Sequence, residues 1–508
     1  MRQLINAMRS ILLLALAASA LQAAVVRGAV VENMTGRPLA RARVTLAPVP
    51  GSPGPTLTVR TNLNGSFEFA ALPAGTYLVS AARAGFAPVE FGQKEFHSAG
   101  LPVLLEDSTP AFLEIRMKRF GAIAGTVLDE NDVGIPDTNV LAYRDTRPPQ
   151  LVARAAADDR GVYRISGLPP GRYLVRSAAK QFEDGGYVPT FSKQSVNVEE
   201  AQPVEARLDE LTDDASVRLI AGALFNLSGS VIVTPRQSVT VTLVSDMGRE
   251  TQVTSSDFHF DNLAPGQYEL FAETDARSGM LGTYAQISLD RERSDVRLAL
   301  TPVPDTSFYI RDDGRKPLKG ASVKVLARRK DLAGEGPVQT LNVSGNPNGN
   351  RIFLGPGHWE LMMAPMTDHY VSGFAGPAYE RSERRRADGW NEIIVGAGYA
   401  PVMFGLASDP GSVHGAVTVD QNPAIGAMVF LEPWDAEQHK RTGEVRTARA
   451  DVRGHYQFHG LAPGEYRVMA TFEYQMPDEA EMDRAETRVV KAEAAADLAQ
   501  DLDLFAIR

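Results

Sequence analysis

The sequence predicts an all-β protein in which about five tandem β-sandwich domains follow a signal peptide. Three observations predict this class. A phrase of roughly fifteen residues with alternating apolar side chains recurs at intervals close to the length of a small sandwich domain. Outside residues 479–500, no segment after the N-terminal region shows sustained helical periodicity. The 508 residues include 44 glycines and 32 prolines, a composition typical of a chain with many turns.

Residues 1–23 are typical of a signal peptide. Arg2 and Arg9 precede an apolar run, and small residues follow it. The run is too short to span a bilayer comfortably, so we expect cleavage after Ala20 or Ala23 rather than a retained anchor helix. We therefore expect an exported protein, periplasmic or extracellular, without a membrane span after cleavage. The chain has no cysteine, so its domains depend on their cores for stability.

The recurring phrase ends in a turn glycine that an aromatic residue follows two positions later. The copies include "GSFEFAALPAGTYLV" from Gly65, "GVYRISGLPPGRYLV" from Gly161 and "GHYQFHGLAPGEYRV" from Gly454. The aromatic residues are Tyr77, Tyr173, Tyr268, Trp359 and Tyr466. The turn glycines are spaced by 96, 95, 91 and 107 residues, at Gly75, Gly171, Gly266, Gly357 and Gly464. This spacing predicts one sandwich domain per copy.

The phrase itself predicts a hairpin or tight corner over an apolar core. Phe67 and Phe69 alternate with polar or small residues, so one face of their strand is apolar. Pro73 fixes φ and Gly75 tolerates positive φ, which together turn the chain. Tyr77 then faces the core from the returning strand. In the degenerate copy we expect Trp359 to be buried in the place of this tyrosine.

The repeats divide the chain into five predicted domains of about six or seven short strands each. The predicted domains cover residues 24–118, 119–222, 223–303, 304–408 and 409–508, and the fourth is divergent. Each begins with a strand, a polar turn containing glycine or proline, and a second alternating strand. Residues 479–500 are predicted as loop, strand or short helix. Short linkers between the domains are expected to set the stiffness of the string.

The combined pattern resembles the carboxypeptidase regulatory-like domain. Its elements are Gly-x-Val, a turn before Pro-Leu and Ala-x-Val, then Asp/Asn-x-x-Gly-x-Tyr/Phe and Leu-Pro/Ala-x-Gly-x-Tyr. That family is similar to transthyretin and to collagen-adhesin B-type repeats, and it is grouped with the carbohydrate-binding-like fold. The resemblance implies Ig-like or prealbumin-like sandwiches. Because the motif residues are turn and core residues, it is specific for fold and says little about function.

No motif in the sequence predicts catalysis, so we expect a protein that is not an enzyme and has no cofactor or metal. His455 and His459 alternate with core aromatics and are predicted to point into solvent. A zinc site needs three or four ligands, and neither His-Glu-x-x-His nor Gly-x-Ser-x-Gly occurs. The turn at residues 129–132 is rich in oxygen ligands, and whether it binds calcium stays open against a solvated turn.

Charge argues against nucleic acid as a partner. The net charge is -10, and the single basic block is "RSERRR" at residues 381–386. Nucleic-acid binding needs a concentrated cationic face. The basic block is expected to be a solvated loop, with a docking site for an acidic partner as the alternative. We expect a monomer.

Four aromatic residues are the candidate ligand contacts. Trp390 and Trp434 lie in loop-like contexts, and Tyr187 and Phe191 lie in an aromatic loop after the core tyrosine. Exposed rings of this kind stack on sugars; the alternative is that they pack over the ends of the sandwiches. The favoured hypothesis is a non-catalytic carbohydrate-binding protein whose partner is a polysaccharide. The alternatives are a structural spacer or protein-interaction stalk that binds an envelope protein, and an accessory partner of an envelope peptidase or transporter.

Overall fold

The structure is a computed structural model. It describes residues 24–106, 110–183, 185–275, 280–303, 306–312, 316–318, 320–377, 386–395, 401–485 and 487–505. The predicted signal peptide and residues 381–385 of the basic block lie outside the described residues. We name the segments D1 to D5 by the predicted boundaries, which remain a proposal. D1 is 24–118, D2 is 119–222, D3 is 223–303, D4 is 304–408 and D5 is 409–508.

D1 is a sandwich of two sheets. Its strands are β1 (Ala24–Glu32), β2 (Arg43–Pro48), β3 (Leu57–Arg60), β4 (Ser66–Leu72), β5 (Gly75–Ala82), β6 (Val89–Glu90), β7 (Val103–Leu105) and β8 (Ala111–Met117). One sheet has the order β4-β1-β8. The other has the order β3-β2-β5, with β6 and β7 both pairing with β5. Phe67, Phe69 and Tyr77 are buried between the sheets, as the alternation predicts.

D2 has the same two sheets and an added hairpin. Its strands are β9 (Gly121–Leu128), β10 (Asn139–Arg144), β11 (Gln150–Ala156), β12 (Val162–Leu168), β13 (Gly171–Ser177), β14 (Lys180–Phe182), β15 (Gly185–Val188), β16 (Val204–Ala206), β17 (Leu211–Thr212), β18 (Val217–Arg218) and β19 (Ile220–Ala221). The sheet β12-β9-β17, with β18 also on β9, faces the sheet β11-β10-β13-β16. The hairpin β14-β15 pairs with β19.

D3 repeats the plan with a longer second sheet. Its strands are β20 (Phe225–Ile232), β21 (Val239–Ser245), β22 (Gly248–Thr254), β23 (Asp257–Leu263), β24 (Gly266–Thr274), β25 (Leu281–Leu289), β26 (Arg293–Ala299) and β27 (Thr301–Pro302). The sheets are β23-β20-β26 and β22-β21-β24-β25-β27.

D4, the divergent copy, keeps the same core pairing. Its strands are β28 (Thr306–Asp312), β29 (Ser322–Asp331), β30 (Gly334–Glu335), β31 (Gln339–Ser344), β32 (Asn350–Ile352), β33 (Gly357–Met363), β34 (Tyr370–Ala375), β35 (Asn391–Val395) and β36 (Val402–Ala407). One sheet is β32-β28-β36-β34, and the other is β29-β33-β35 with β30 and β31 on β29. Trp359 is 7% exposed, so the expectation that it is buried is confirmed.

D5 contains a short helix in addition to its strands. The elements are β37 (Gly411–Val419), β38 (Asn422–Pro423), β39 (Met428–Asp435), β40 (Lys440–Arg441), β41 (Arg446–Arg449), β42 (His455–Leu461), β43 (Gly464–Thr471), α1 (Glu479–Arg484), β44 (Arg488–Ala492), β45 (Asp497–Ala499) and β46 (Leu502–Phe505). Strand β37 lies between β42 and the pair β45 and β46, while β41, β39, β43 and β44 pair in that order. Strand β46 also pairs in parallel with β43, so hydrogen bonds connect the two layers of D5 into one sheet. Residues 479–500 therefore contain a helix and two strands, joined by turns.

The first strand of each domain lies in parallel beside a strand close to the end of that domain, and antiparallel beside a middle strand. A glycine sits at the closest approach in most copies. A Cβ at Gly28 would lie 2.2 Å from the Leu113 carbonyl oxygen, and one at Gly415 would lie 1.9 Å from the Gln500 carbonyl oxygen. The glycine of the Gly-x-Val pattern is therefore required by close backbone packing.

The aromatic residue at the end of the phrase makes the same local hydrogen bond in all five domains. The hydroxyl of Tyr173 donates to the carbonyl oxygen of Pro169 at 2.7 Å, and Trp359 Nε1 donates to that of Gly355 at 2.8 Å. Tyr77, Tyr268 and Tyr466 donate in the same way to the residue four positions earlier. The phrase thus forms a corner in which a buried ring and a satisfied polar tip fix the turn.

A second local interaction, a pair of side-chain to backbone hydrogen bonds, lies in the turn at the start of the phrase. In D1 the side-chain oxygen of Asn62 accepts hydrogen bonds from the backbone nitrogens of Asn64 and Ser66, at 2.9 and 3.0 Å. Asp158 in D2 and Asp451 in D5 make the equivalent pair of bonds. These Asx turns explain the Asp/Asn-x-x-Gly pattern before the aromatic strand.

The domains contact one another at each boundary. Arg119 Nε donates to Glu32 Oε1 at 2.5 Å between D1 and D2, and Met247 of D3 packs into a cluster of D2 side chains. Arg249 forms a two-point ion pair with Asp331 between D3 and D4. At the D4–D5 boundary, Arg386 binds the hydroxyl of Tyr466, while D5 also returns to contact D1.

The contact between D5 and D1 uses backbone as well as side chains. The Val452 nitrogen donates to the Pro50 carbonyl oxygen at 3.0 Å, and the Ala99 nitrogen donates to the Phe472 carbonyl oxygen at 2.7 Å. Gln475 Nε2 donates to the Ser98 carbonyl oxygen at 3.1 Å. The expectation of a string whose stiffness is set by linkers is therefore wrong for this structure, because packed interfaces connect the domains and the last domain touches the first.

Candidate functional site

Two of the four predicted ligand residues lie in D2. Phe191 is 1% exposed, and the guanidinium carbon of Arg176 lies 5.2 Å from the centre of its ring. Tyr187, in β15, is half-buried, and its hydroxyl donates to Glu130 Oε2 at 2.9 Å. Phe191 is therefore not an exposed stacking platform, contrary to the expectation, because the cluster between D2 and D3 encloses it.

The two predicted tryptophans are held by arginines. The guanidinium carbon of Arg328 lies 4.0 Å from the centre of the Trp390 ring, and Trp390 Nε1 donates to Glu444 Oε1 across the D4–D5 boundary at 2.7 Å. Trp434 is 8% exposed, and Arg467 covers its ring at 3.7 Å. The prediction of a loop at Trp434 is wrong, since the residue lies in β39, on the face of the strand opposite the sandwich core, where Arg467 buries it.

The histidine pair and the oxygen-rich turn have ordinary structural surroundings. His455 and His459 are both exposed on β42, as predicted, and between them the side chains of Tyr456 and Phe458 are buried. In the turn at residues 129–132, Asp129 Oδ1 accepts backbone hydrogen bonds from Asn131 and Val133, both at 2.8 Å. Among the described residues, no group of three or more histidine or carboxylate side chains is placed to hold a metal ion.

A different site is formed where D2, D3 and D4 meet. The three-domain cleft, as we name it, has a volume of about 740 Å³. It is lined by β10, β11, β13 and the turn at residues 145–149 from D2, by the β21–β22 hairpin from D3, and by Ala333 and Glu335 of D4. A cleft of this size between packed domains is typical of a ligand site.

Packing across the domain boundaries fixes the walls of the cleft. Met247, at the tip of the β21–β22 hairpin, packs with Tyr143, Leu174 and Phe191 of D2. Arg249 at the start of β22 makes its ion pair with Asp331, at 2.8 and 2.6 Å, and its Nη2 donates to the Gly334 carbonyl oxygen at 2.9 Å. The hairpin of D3 is therefore held on both sides.

The charged residues of the cleft are separated by domain. The D2 wall carries Arg147, Arg154 and Arg176, and the D3 wall carries Asp246, Glu250 and Asp261 beside Arg249. Burial lowers the pKa of Arg176 and raises that of Glu250, where neighbouring Asp261 adds to the rise. Burial also raises the pKa of Tyr268 to about 12, so this residue is a neutral hydrogen-bonding group at the base of the cleft.

Sequence reasoning missed this cleft, although one signal for it was present. Arg176 lies three residues after the core tyrosine of D2. The same position in the other copies holds the uncharged residues Ser80, Phe271, Met362 and Met469. Phe271 and Met469 are buried, so this position faces neighbouring structure rather than solvent. A charged residue at a position that is otherwise buried indicates a role other than packing.

The described part of the chain contains no helix that is both long and apolar enough to cross a membrane. Its architecture defines a class: a protein of tandem all-β sandwich domains in which the first strand pairs in parallel with a strand near the end of the domain. The carboxypeptidase regulatory-like domain model matches residues 25–103 and 122–209. These two segments are therefore carboxypeptidase regulatory-like domains, and the predicted resemblance is confirmed there.

The chain is also similar to two kinds of protein from Staphylococcus aureus. Serine-aspartate repeat-containing protein E of Staphylococcus aureus is 24% identical over 314 residues, which cover 55% of this chain and 27% of the relative. Bone sialoprotein-binding protein of the same species is 25% identical over 317 residues, covering 54% of this chain and 27% of the relative. The chain thus spans about a quarter of the length of the curated relatives it matches.

Solved structures with some likeness include bacterial pilins. The minor pilin of Streptococcus agalactiae is 15% identical with a TM-score of 0.25, covering 39% of this chain and 97% of the pilin. The major pilin subunit of Bacillus cereus is 12% identical with a TM-score of 0.14, and the match covers 75% of this chain and 99% of the pilin subunit. These TM-scores are too low to carry an argument.

Proposed function

We propose that this chain is an exported, non-catalytic binding protein whose ligand is a glycan held in the three-domain cleft. The observation that carries the proposal is the cleft itself, about 740 Å³ in volume and lined by side chains from D2, D3 and D4. Its walls are held by packed and ion-paired contacts, which lowers the entropy lost on binding.

The lining supports a hydroxyl-rich ligand. Sugar hydroxyls both donate and accept hydrogen bonds, so their site needs both kinds of group. The cleft offers arginine and asparagine donors and carboxylate acceptors, whose charges balance among the described residues: Arg147, Arg154, Arg176, Arg249 and Asn262 against Asp246, Glu250, Asp261 and Glu335. Exposed Leu151 and the prolines at 148 and 149 add apolar surface at the rim.

A protein-binding adhesin or spacer is the second candidate function. It is favoured by the two staphylococcal relatives, one of which is named for binding bone sialoprotein. Export is part of both proposals and rests on the predicted signal peptide at residues 1–23. In this second proposal the sandwiches present their surfaces to a protein partner, and the cleft is a by-product of domain packing. An accessory role beside an envelope peptidase or transporter belongs to the same class.

The test is binding of residues 24–508 to a panel of polysaccharides and envelope fractions, with and without chelator. A Leu151→Trp variant places a large ring at the mouth of the cleft, while Leu63→Trp on D1 is the control, since both leucines are exposed, Leu151 by 53% and Leu63 by 85%. We expect saturable glycan binding that Leu151→Trp weakens and Leu63→Trp leaves unchanged. Binding to envelope protein but to no glycan would instead support the adhesin or spacer.

A further inference from the structure

Two arginines on the D2 wall of the cleft form no ion pair with a carboxylate in the part of the chain that the structure describes. Arg147 forms an ion pair with Asp145 at 3.5 Å. For Arg154 and Arg176, by contrast, no ion pair with any carboxylate occurs among the described residues. Arg154 is exposed on β11, directly across the strand pair from Leu141 of β10. The D2 wall is therefore positively charged beyond what its own acids offset.

Of these two arginines, Arg176 is the one whose charge and hydrogen-bond donors are less well matched by partners. Its Nε is buried without a hydrogen-bond partner, and its guanidinium lies between the Phe191 ring and the hydroxyl of Tyr143. Burial lowers the pKa of Arg176, which shows that the charged form is held in an unfavourable environment. A partly buried cation without an ion-pair partner costs stability, and an unsatisfied buried donor in a folded protein needs an explanation, which a bound anion would supply.

The acids on the opposite wall do not supply that partner. Asp246 attracts Arg176 through space, but the two side chains form no ion pair. Glu250 and Asp261 lie close enough for Asp261 to raise the pKa of Glu250, and Asp261 already contacts His259. These carboxylates are acceptors that face the cleft from D3. The cleft therefore offers cationic donors on one side and anionic acceptors on the other.

We propose that the three-domain cleft recognises an acidic sugar residue, a uronate, by its carboxylate. Arg176 and Arg154 bind the carboxylate on the D2 wall, and the D3 carboxylates accept hydrogen bonds from the ring hydroxyls. This inference rests on the proposed glycan-binding function and adds the charge of the ligand. A neutral sugar would satisfy the D3 wall and leave the charge of the D2 wall unmatched, so the polarity of the two walls selects the acidic sugar.

The experiment compares trigalacturonate with its methyl ester by calorimetric titration of residues 24–508. Esterification removes the charge and keeps the ring and its hydroxyls. Because a hydrogen bond to a charged group contributes roughly 1.5–3 kcal/mol, we expect the acid to bind about tenfold or more tightly than the ester. We also expect the affinity for the acid to fall as salt is raised, while that for the ester stays unchanged.

Variants assign the effect to the cleft. Arg176→Gln and Arg154→Gln should each reduce the affinity for the acid more than the affinity for the ester, because only the acid carries a charge that the arginine matches. Arg453→Gln, on an exposed turn of D5, is the control. If Arg176→Gln does not fold, exposed Arg154 still decides the question. Equal binding of acid and ester, or variants without effect, would overturn the uronate inference and leave a glycan-binding protein. Binding of no glycan in the wider panel would overturn both.

Discussion

At the scale of single residues, the glycine of the first strand has the clearest role. A Cβ at Gly415 would lie 1.9 Å from the carbonyl oxygen of Gln500, so Gly415→Ala must push two parallel strands apart. We expect a loss of about 1–3 kcal/mol in the free energy of unfolding of D5, measured by urea denaturation of residues 24–508.

Gly373→Ala is the matched control for this change. Gly373 also lies in a strand, β34, but nothing lies within 4 Å of the position of its missing Cβ. We expect its effect to stay within about 0.5 kcal/mol. Equal destabilisation by the two substitutions would show that strand propensity, and not close packing, explains the glycine.

Glu250 gives a prediction about pH. Burial and the neighbouring Asp261 raise its pKa above the ordinary value of 4.5, so the folded chain holds this proton more tightly than the unfolded chain does. Ionised Glu250 therefore costs stability at pH 7, and Glu250→Gln should raise the melting temperature of D3 in calorimetry. The gain should shrink as pH falls and disappear below 4.5, where both states are protonated. A gain that does not depend on pH would contradict this cause.

The core residues of the repeated phrase could be predicted from sequence, and the site residues could not. Alternation around Phe67 and Phe69 places them inside because a strand exposes alternate side chains to opposite faces. Whether a ring such as Phe191 or Trp434 faces solvent depends on which neighbouring domain covers it, and that information is not local. For the same reason, the role of Arg176 could not be predicted from the sequence, since this residue lines a cleft that is formed by three domains.

At the scale of elements, the turn before the aromatic strand is stabilised by one side chain. Asn62→Ala removes the acceptor for the backbone nitrogens of Asn64 and Ser66. We expect D1 to lose about 1 kcal/mol of unfolding free energy in urea denaturation, since the loss resembles that of a helix N-cap. Asn64→Ala, in the same turn, removes no side-chain hydrogen bond and should be near neutral. Loss of stability in both variants would point to the loop conformation instead.

The hairpins and tight corners could be predicted from the sequence, and the short edge strands could not. Glycine, proline and Asx residues fix the corners locally, so they appear as a pattern. The estimate of six or seven strands per domain is too low, because two-residue strands such as β6 and β17 are too short to show alternation. The helix α1 is six residues long and is fixed by its capping box at Asp478 rather than by periodicity.

At the scale of the whole molecule, the contact between D5 and D1 predicts a compact particle. An extended string of five sandwiches would have a radius of gyration of about 50 Å, given strands of roughly 30 Å per domain. The packed arrangement predicts about 25–30 Å, close to a single globule of this length. Small-angle scattering of residues 24–508 separates the two values. A radius near that of the string would show that the interfaces do not persist in solution.

An engineered disulfide tests the same contact directly, since the chain has no cysteine of its own. A Cβ added at Gly426 of D5 would lie 3.8 Å from Cβ of Pro102 in D1, the usual separation across a disulfide. We expect the double variant Pro102→Cys, Gly426→Cys to oxidise and to migrate differently on a non-reducing gel.

The two single variants control for the effect of each substitution and should retain free thiols. Free thiols in the folded, oxidant-treated double variant would contradict the contact between D5 and D1.

Repeat spacing predicts the number of domains because it is a property of the sequence. It cannot predict that the last domain meets the first, since this depends on the angles between successive domains.

The parallel pairing of first and last strands has a mechanical consequence. When force pulls the two ends of a domain apart, β1 and β8 are drawn past each other along their length. Their hydrogen bonds lie across the direction of pull and share the load together, whereas an antiparallel pair pulled from one end opens bond by bond. D1, D4 and D5 place their terminal strands in this shear geometry, and in D2 and D3 the first strand pairs in the same way with a strand that precedes the last one. D1, D4 and D5 should therefore resist a pull on their two ends more strongly than a domain whose terminal strands form an antiparallel pair.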